Sequence, residues 1–256
     1  MVSLNTDILQ SWIVLLLWPM TRILAMIAVA PVLSHRSISA RVKISMALMM
    51  TLALLPSLPQ PPLLDIFSWR GMLVLAQQMV IGFAIGFSMR IVFAAVEMAG
   101  QMIGMTMGLG FAMFYDPQTQ GQSNAISQFM VLLTTLIFLS LDGHLLMISA
   151  VMESFANFPL SAEWQGGLDF MKMANWGGKI FSAGLLISLP AIAALLITNM
   201  ALGILTRTAP QLNLFGIGFP VTIAIGYVVV ALVLPGILQP ILQLIQESTA
   251  NMALRF

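Results

Sequence analysis

Two stretches near the C-terminus constrain this chain more than anything else in it. No charged residue falls between Lys179 and Arg207, and none between Arg207 and Glu247. A helix crossing the hydrocarbon layer of about 30 Å needs about 20 apolar residues, and each stretch exceeds that. The rest of the chain agrees. Of its 256 residues 59% are hydrophobic and 7% charged, against about 45–50% and about 25% in soluble domains. An ordinary soluble enzyme is excluded, and an all-α, membrane-associated protein is expected. Ten Lys and Arg oppose nine Asp and Glu, so no basic field exists to gather nucleic acid. The absence of Cys removes disulfides, thiolate nucleophiles and thiolate metal sites.

Six candidate segments divide the sequence: Ile8–Leu33, Val42–Leu58, Met72–Val96, Phe129–Met152, Ile180–Leu205 and Phe219–Ile245. The second ends at Pro56 and the run Pro59-Gln60-Pro61-Pro62, which cannot continue a helix. No long polar linker separates two halves, so residues 1–256 are read as one domain. Ala28-Val29-Ala30 matches a signal-cleavage pattern. Against cleavage, Asp7 is the only charge before the apolar run, the run is too long, and Pro31 would follow the cut. The first segment is therefore read as mature structure. Arg36, Arg41 and Lys43 put the first loop in the cytoplasm by the positive-inside rule. Six crossings then leave both termini outside. Arg207 fits this topology, as does the mixed charge of Glu153–Lys179.

Some features suit a lipid-bathed bundle poorly. Arg22, Arg90 and Asp142 lie inside apolar segments, where each charge costs about 2.5–3.5 kcal/mol on insertion scales. Pro19, Pro190 and Pro235 interrupt the first, fifth and sixth segments, predicting kinks or local unwinding. Such helices face protein or a wet cavity as much as lipid. The alternative is that Arg22 and Arg90 snorkel to the interface.

The richest stretch runs from Glu97 to Asn124. Gly100, Gly104 and Gly108 stand at spacing four, a stripe that lets backbones approach closely, and Gly82 and Gly86 repeat the device earlier. Then comes Met107-Gly108-Leu109-Gly110-Phe111-Ala112-Met113-Phe114-Tyr115, followed by Asp116-Pro117. Two glycines and a proline argue against continued helix, yet the side chains are too apolar for a loop in water. Irregular backbone of this kind is tolerated inside protein or along a cavity. It reads either as a deformable hydrophobic plug across a conduit or as a buried turn that only packs. Asp142-Gly143-His144, deep in the fourth segment, could form a proton relay. The preferred reading is a helix break, with Gly143 the joint and His144 bonded to a carbonyl.

Enzyme signatures are missing. The sequence has no HExxH, no Walker lysine motif and no dinucleotide fingerprint. Gly86-Phe87-Ser88 lacks the closing glycine of a serine elbow, and His occurs only at 35 and 144. No cofactor or metal is expected.

Several strings taken together carry a family resemblance. They are Glu97-Met98-Ala99-Gly100-Gln101-Met102-Ile103-Gly104, the glycine-rich turn with Asp116-Pro117, and Phe138-Leu139-Ser140-Leu141-Asp142-Gly143-His144. The longest is Arg207-Thr208-Ala209-Pro210-Gln211-Leu212-Asn213-Leu214-Phe215-Gly216-Ile217-Gly218-Phe219-Pro220. With these the chain resembles, over nearly its whole length, the FliR/SctT family of type III secretion export gates.

The resemblance implies a bundle of about six long, bent helices arranged as hairpins. Its FliP-like part would cover about 1–175 and a FliQ-like hairpin about 176–256. It implies assembly with FliP-like and FliQ-like subunits and an FlhB-like export switch protein. The gate would sit in the bacterial inner membrane within the flagellar basal body and reach above the membrane plane on the periplasmic side. Membrane-crossing geometry would then differ from six simple spans. Unfolded secretion substrates would pass, and no nucleic acid is involved. Carried over, Gly108, Gly110, Phe111, Met113, Phe114 and Tyr115 would form the plug, with Gly82, Gly86, Gly100 and Gly104 packing helices closely. Arg90, Glu97, Asp116, Asp142, His144, Arg207 and Asn213 would be structural anchors. The second reading is a secondary transporter of a small solute or ion, supported by Arg90, Asp142, His144 and broken helices, although no internal repeat is evident. An intramembrane hydrolase has no candidate nucleophile. An injectisome subunit is a related version of the gate, and the string from Asn213 to Pro220 leans flagellar.

Overall fold

The structure, a computed structural model, describes residues 6–58, 65, 67–111, 124–160, 169–209 and 218–252, with the side chains of 6–13, 111 and 219 excepted. Seven α-helices and no strand occur among the described residues. They are α1 Thr6–Val29, α2 Ala40–Leu54, α3 Trp69–Thr106, α4 Ala125–Ser140, α5 Gly143–Asn157, α6 Phe170–Thr208 and α7 Phe219–Met252. Short 3-10 turns at Leu55–Ser57 and Leu109–Phe111 follow α2 and α3. The all-α expectation holds.

Four described helices are long and apolar enough to span a bilayer: α2 with its 3-10 turn, α3, α6 and α7. The broken pair α4 and α5 would make a fifth. α1 is 24 residues long, and Val14–Val29 is its apolar stretch with described side chains. Beyond the apolar segment that ends at Val96 the helix goes on, as the glycine stripe implies. α3 continues past Glu97 to Thr106, 38 residues in all, or about 57 Å at 1.5 Å per residue. Fitting that length into about 30 Å of hydrocarbon would need a tilt of roughly 58°, beyond the observed range of about 0–40°. A straight α3 crossing such a layer would therefore extend beyond it.

The helices run through their prolines, with Pro19 inside α1, Pro190 inside α6, and Pro235 and Pro240 inside α7. None of the three helices is unwound there, because apolar helices tolerate proline where neighbouring groups re-satisfy the freed backbone. The fourth segment does break. Asp142 takes the left-handed conformation at φ 53° and its carbonyl accepts the N–H groups of Leu145 and Leu146, which starts α5. The joint is Asp142, not Gly143, which is the first residue of α5.

The chain forms two compact units. One contains Met1–Arg90, Leu139–Trp176 and Glu247–Phe256. In it α1 and the first part of α3 run parallel, with Arg22 beside Gln78, Gly82 beside Ala25 and Gly86 beside Ala30. A Cβ at Gly82 would collide with the Arg22 carbonyl, and one at Gly86 would lie 2.8 Å from the Met26 carbonyl oxygen. The glycine pair is what lets the two backbones touch. Trp18, Ile23, Met26, Ile85 and Val151 fill the core around the contact.

Arg22 is fully buried there, so the snorkelling alternative fails for it. It sits mid-helix against α3 and α5, and its guanidinium finds acceptors inside the protein. Nε donates to Gln78 Oε1 at 2.7 Å, Nη1 to Ser154 Oγ at 3.0 Å and Nη2 to the Phe158 carbonyl at 2.8 Å, while Phe155 lies under the guanidinium at 4.0 Å.

The second unit contains Ile91–Phe138 and Gly177–Gln246. α4 returns antiparallel along α3, with Ser127 at Gly100 and the Phe138 ring edge-on to Phe93, centroids 5.7 Å apart. α6 runs parallel to α3, Gly184 approaching the Ala95 carbonyl and Ser188 approaching Met102. The outward faces of α6 and α7 are oily, with Phe181, Leu186, Ile197, Met200 and Leu232 all more than 60% exposed. Monomeric soluble proteins rarely present so much contiguous apolar surface, so lipid or partner chains must cover it.

Candidate functional site at the end of helix α3

The end of α3 is built from three contacts. Met107 is fully buried, and a Cβ on Gly226 of α7 would meet its side chain at 2.5 Å. Asn199 Nδ2 of α6 donates to the Thr106 carbonyl at 3.4 Å, satisfying one of the acceptors that a helix end leaves open. Gly108 then adopts φ 87° and its N–H bonds the Met105 carbonyl at 3.0 Å. Only glycine takes that conformation without steric cost, so the sequence Met107-Gly108 ends the helix and turns the chain into Leu109–Phe111. Leu109 and Gly110 are half-buried, and Met105 is exposed.

A narrow neck holds the start of α4 against this end. Asn124 caps α4, its Oδ1 accepting the Ser127 N–H at 2.8 Å, while its Nδ2 donates to the Gln101 carbonyl at 3.4 Å. Ser127 Oγ donates to the Glu97 carbonyl at 3.1 Å. A Cβ on Gly100 would lie 2.5 Å from Ser127 Cα, and one on Gly104 would collide with the Asn124 amide. The chain leaves this neck after Gly104 and re-enters it at Asn124, so both ends of the intervening segment are fixed at one place.

The two glycines differ in what they touch. At Gly100 the neighbour is backbone, which cannot yield, and Gly100→Ala is expected to cost about 1–3 kcal/mol of overpacking. At Gly104 the neighbour is a side chain that can swing away at the price of its cap, about 1 kcal/mol. Thermal unfolding of the purified variants should therefore rank Gly100→Ala below Gly104→Ala, and the reverse order would contradict the backbone contact.

The sequence model of "Bacterial export proteins, family 1" matches residues 13–248. The chain belongs to that family. Among relatives of this export family, the flagellar biosynthetic protein FliR of Pectobacterium carotovorum subsp. carotovorum is 43% identical over 92% of this chain and 90% of its own length. The FliR of Escherichia coli strain K12 is 41% identical over the same shares. That of Bacillus subtilis strain 168 is 32% identical over 81% of each chain.

In this export-family chain the residues singled out from sequence fall in several places. Gly100, Gly104, Gly108 and Gly110 gather at the neck and turn, with the Glu97 carbonyl beside them. Gly82 and Gly86 belong to the α1–α3 contact of the other unit. Phe111 has a described backbone only, and Met113, Phe114, Tyr115, Asp116 and Asn213 lie outside the described residues. Arg90 and Arg207 are exposed, the latter in the last turn of α6, where a cation suits the helix dipole. Asp142 is exposed, and His144 is half-buried. His144 Nδ1 is enclosed without a hydrogen-bond partner among the described residues.

Sequence reasoning gave no role to Gln78, Ser154 and Phe158, or to the contacts at Gly184 and Gly226. For the first group the only signal was Arg22 itself, a charge with no evident reason to be in its segment. For the glycines there was none beyond their lying in charge-free helices.

Proposed function

We propose that the chain is a non-catalytic core subunit of the flagellar type III export gate, forming with FliP-like and FliQ-like subunits the channel through which unfolded flagellar proteins leave the cytoplasm. Residues of about 1–175 act as the FliP-like part and about 176–256 as the FliQ-like hairpin, with an FlhB-like protein as a further neighbour. The gate sits in the inner membrane within the basal body. The length of α3 supports a part that rises out of the hydrocarbon layer, and the oily outer faces of α6 and α7 suit burial against partner chains.

The observation that carries the reading is the neck. A segment of bulky apolar residues, Phe111, Met113, Phe114 and Tyr115, is inserted between two points that Gly104 and Asn124 hold in contact. Glycine 108 sets its departure, and Met107 anchors it on α7. An apolar insertion so tethered can close a conduit by dewetting, with no charged gate, and can yield to an arriving substrate because Met and Phe repack readily. The seven candidate anchors, Arg90, Glu97, Asp116, Asp142, His144, Arg207 and Asn213, hold elements in place, and Arg207 and Asn213 perform no transport chemistry.

A tagged copy expressed in its native host tests the assembly. Purification should yield FliP-like and FliQ-like chains in fixed ratio, with the oily faces of α6 and α7 protected from a lipid-soluble carbene label. A chain recovered alone, or only as a homo-oligomer, would favour the transporter reading instead.

A further inference from the structure

The turn between α1 and α2 and the outward face of α2 form a surface that the gating role does not use. α2 packs on α1 through Ala47, Thr51 and Leu54, one narrow stripe. The opposite side is open, with Val42 53%, Met49 70% and Leu52 51% exposed, and their spacing of seven and three places them on one face. From Ala40 to Ser57 this rod is 18 residues, about 27 Å at helical rise, close to the thickness of the hydrocarbon layer. At its N-terminal end Arg36 and Arg41 are exposed, and Lys43 folds back so that Nζ donates to the Ser34 carbonyl at 2.8 Å. No acidic residue occurs between Asp7 and Asp65 to neutralise them.

From this juxtaposition we propose that the α1–α2 turn is a docking site for anionic phospholipid headgroups, with the acyl chains lying along the open face of α2. The geometry favours lipid over an acidic protein, because the cations stand at one end of an apolar rod of bilayer length. A protein partner would need its acidic patch joined to an oily face of the same extent. Arg36 and Arg41 supply the attraction at the headgroup level, and Lys43 fixes the turn between them. Each exposed cation near an anionic leaflet strengthens binding about fivefold, so the two arginines together account for roughly twenty-five-fold.

The test uses the full chain with its co-purifying subunits in a neutral detergent, titrated with phosphatidylglycerol or phosphatidylcholine, with bound lipid counted by native mass spectrometry. The wild type should retain phosphatidylglycerol in preference. Arg36→Gln/Arg41→Gln, which leaves the Lys43 bond intact, should lose at least tenfold of that preference, and Arg36→Lys/Arg41→Lys should keep it. Raising NaCl from about 0.05 to about 0.5 M should erode the wild-type preference, since the Debye length falls severalfold. That arm reads the proposal even if the glutamine variant fails to assemble. Equal retention of the two lipids by the wild type, or an unchanged preference in the glutamine variant, overturns it. Loss of an acidic co-purifying protein with the lipid preference intact also overturns it and assigns the patch to that protein.

Discussion

Gln78→Leu is expected to destabilise the chain by about 2–3 kcal/mol, the cost of leaving a buried charged donor unmatched. The Arg22 guanidinium cannot shed its proton to escape burial. It is fully enclosed, and each of its described acceptors is neutral: an amide oxygen, a hydroxyl, a backbone carbonyl and an aromatic face. Ser154 already donates its own proton to the Val151 carbonyl at 2.6 Å, so its lone pairs are free to receive Nη1. Gln78, itself 1% exposed, has the shortest of the three bonds at 2.7 Å. Leucine fills nearly the same volume and offers Nε nothing. The melting temperature of the purified protein in detergent should fall by roughly 5–10 °C. Combining Gln78→Leu with Arg22→Met should recover at least half of the loss, because making both partners apolar removes the unmatched charge as well as the bond. A double-mutant cycle showing simple additivity would mean that the two side chains do not act as a unit.

The limits of sequence reading show at this arginine. The anomaly was visible, a cation inside an apolar run, but the choice between burial and snorkelling depended on partners 56 and more residues away. Local pattern carries no information about such pairs. The apolar helices themselves were legible, because a charge-free run of sufficient length has few other uses. Their ends were less so. The apolar segment ends at Val96, while the glycines at spacing four imply helix beyond Glu97, and α3 runs nine residues past it to Thr106. One half-buried carboxylate does not stop a helix whose neighbours bond its backbone. At the fourth segment the polar triplet marks a break, and glycine is the residue whose freedom suggests the joint. Asp142 holds the positive φ instead, as a short polar side chain can. The spacing of the glycines points to close helix contacts, but Gly108, the third of its stripe, lies past the end of α3 at φ 87°. Which stripe met which helix was not readable: Gly82 and Gly86 face α1, while Gly100 and Gly104 face α4. The contact of Gly226 with Met107, which seats the end of α3 on α7, joins positions more than a hundred residues apart and left no trace in the sequence.

Deleting Gly110–Phe114 in cells that carry the assembled gate should raise ion leakage by at least about tenfold, the change that removing ~1.4 kcal/mol of barrier produces. The neck makes the deletion informative. Contacts of Gly100 and Gly104 with Ser127 and Asn124, and of Met107 with Gly226, all lie outside the deleted residues. The scaffold should therefore assemble, and a leak would report on closure rather than on collapse. A second variant separates two ways of closing. Phe111→Ser/Met113→Ser/Phe114→Ser keeps the length of the segment and wets its surface. If closure depends on dewetting, this variant should leak as the deletion does, because a polar lining of the same width readmits water. If closure is steric, only the deletion leaks. Complexes of normal composition that remain tight with both variants would remove the plug from the mechanism, and the turn after Gly108 would then be a packing device for α3, α4 and α7 alone.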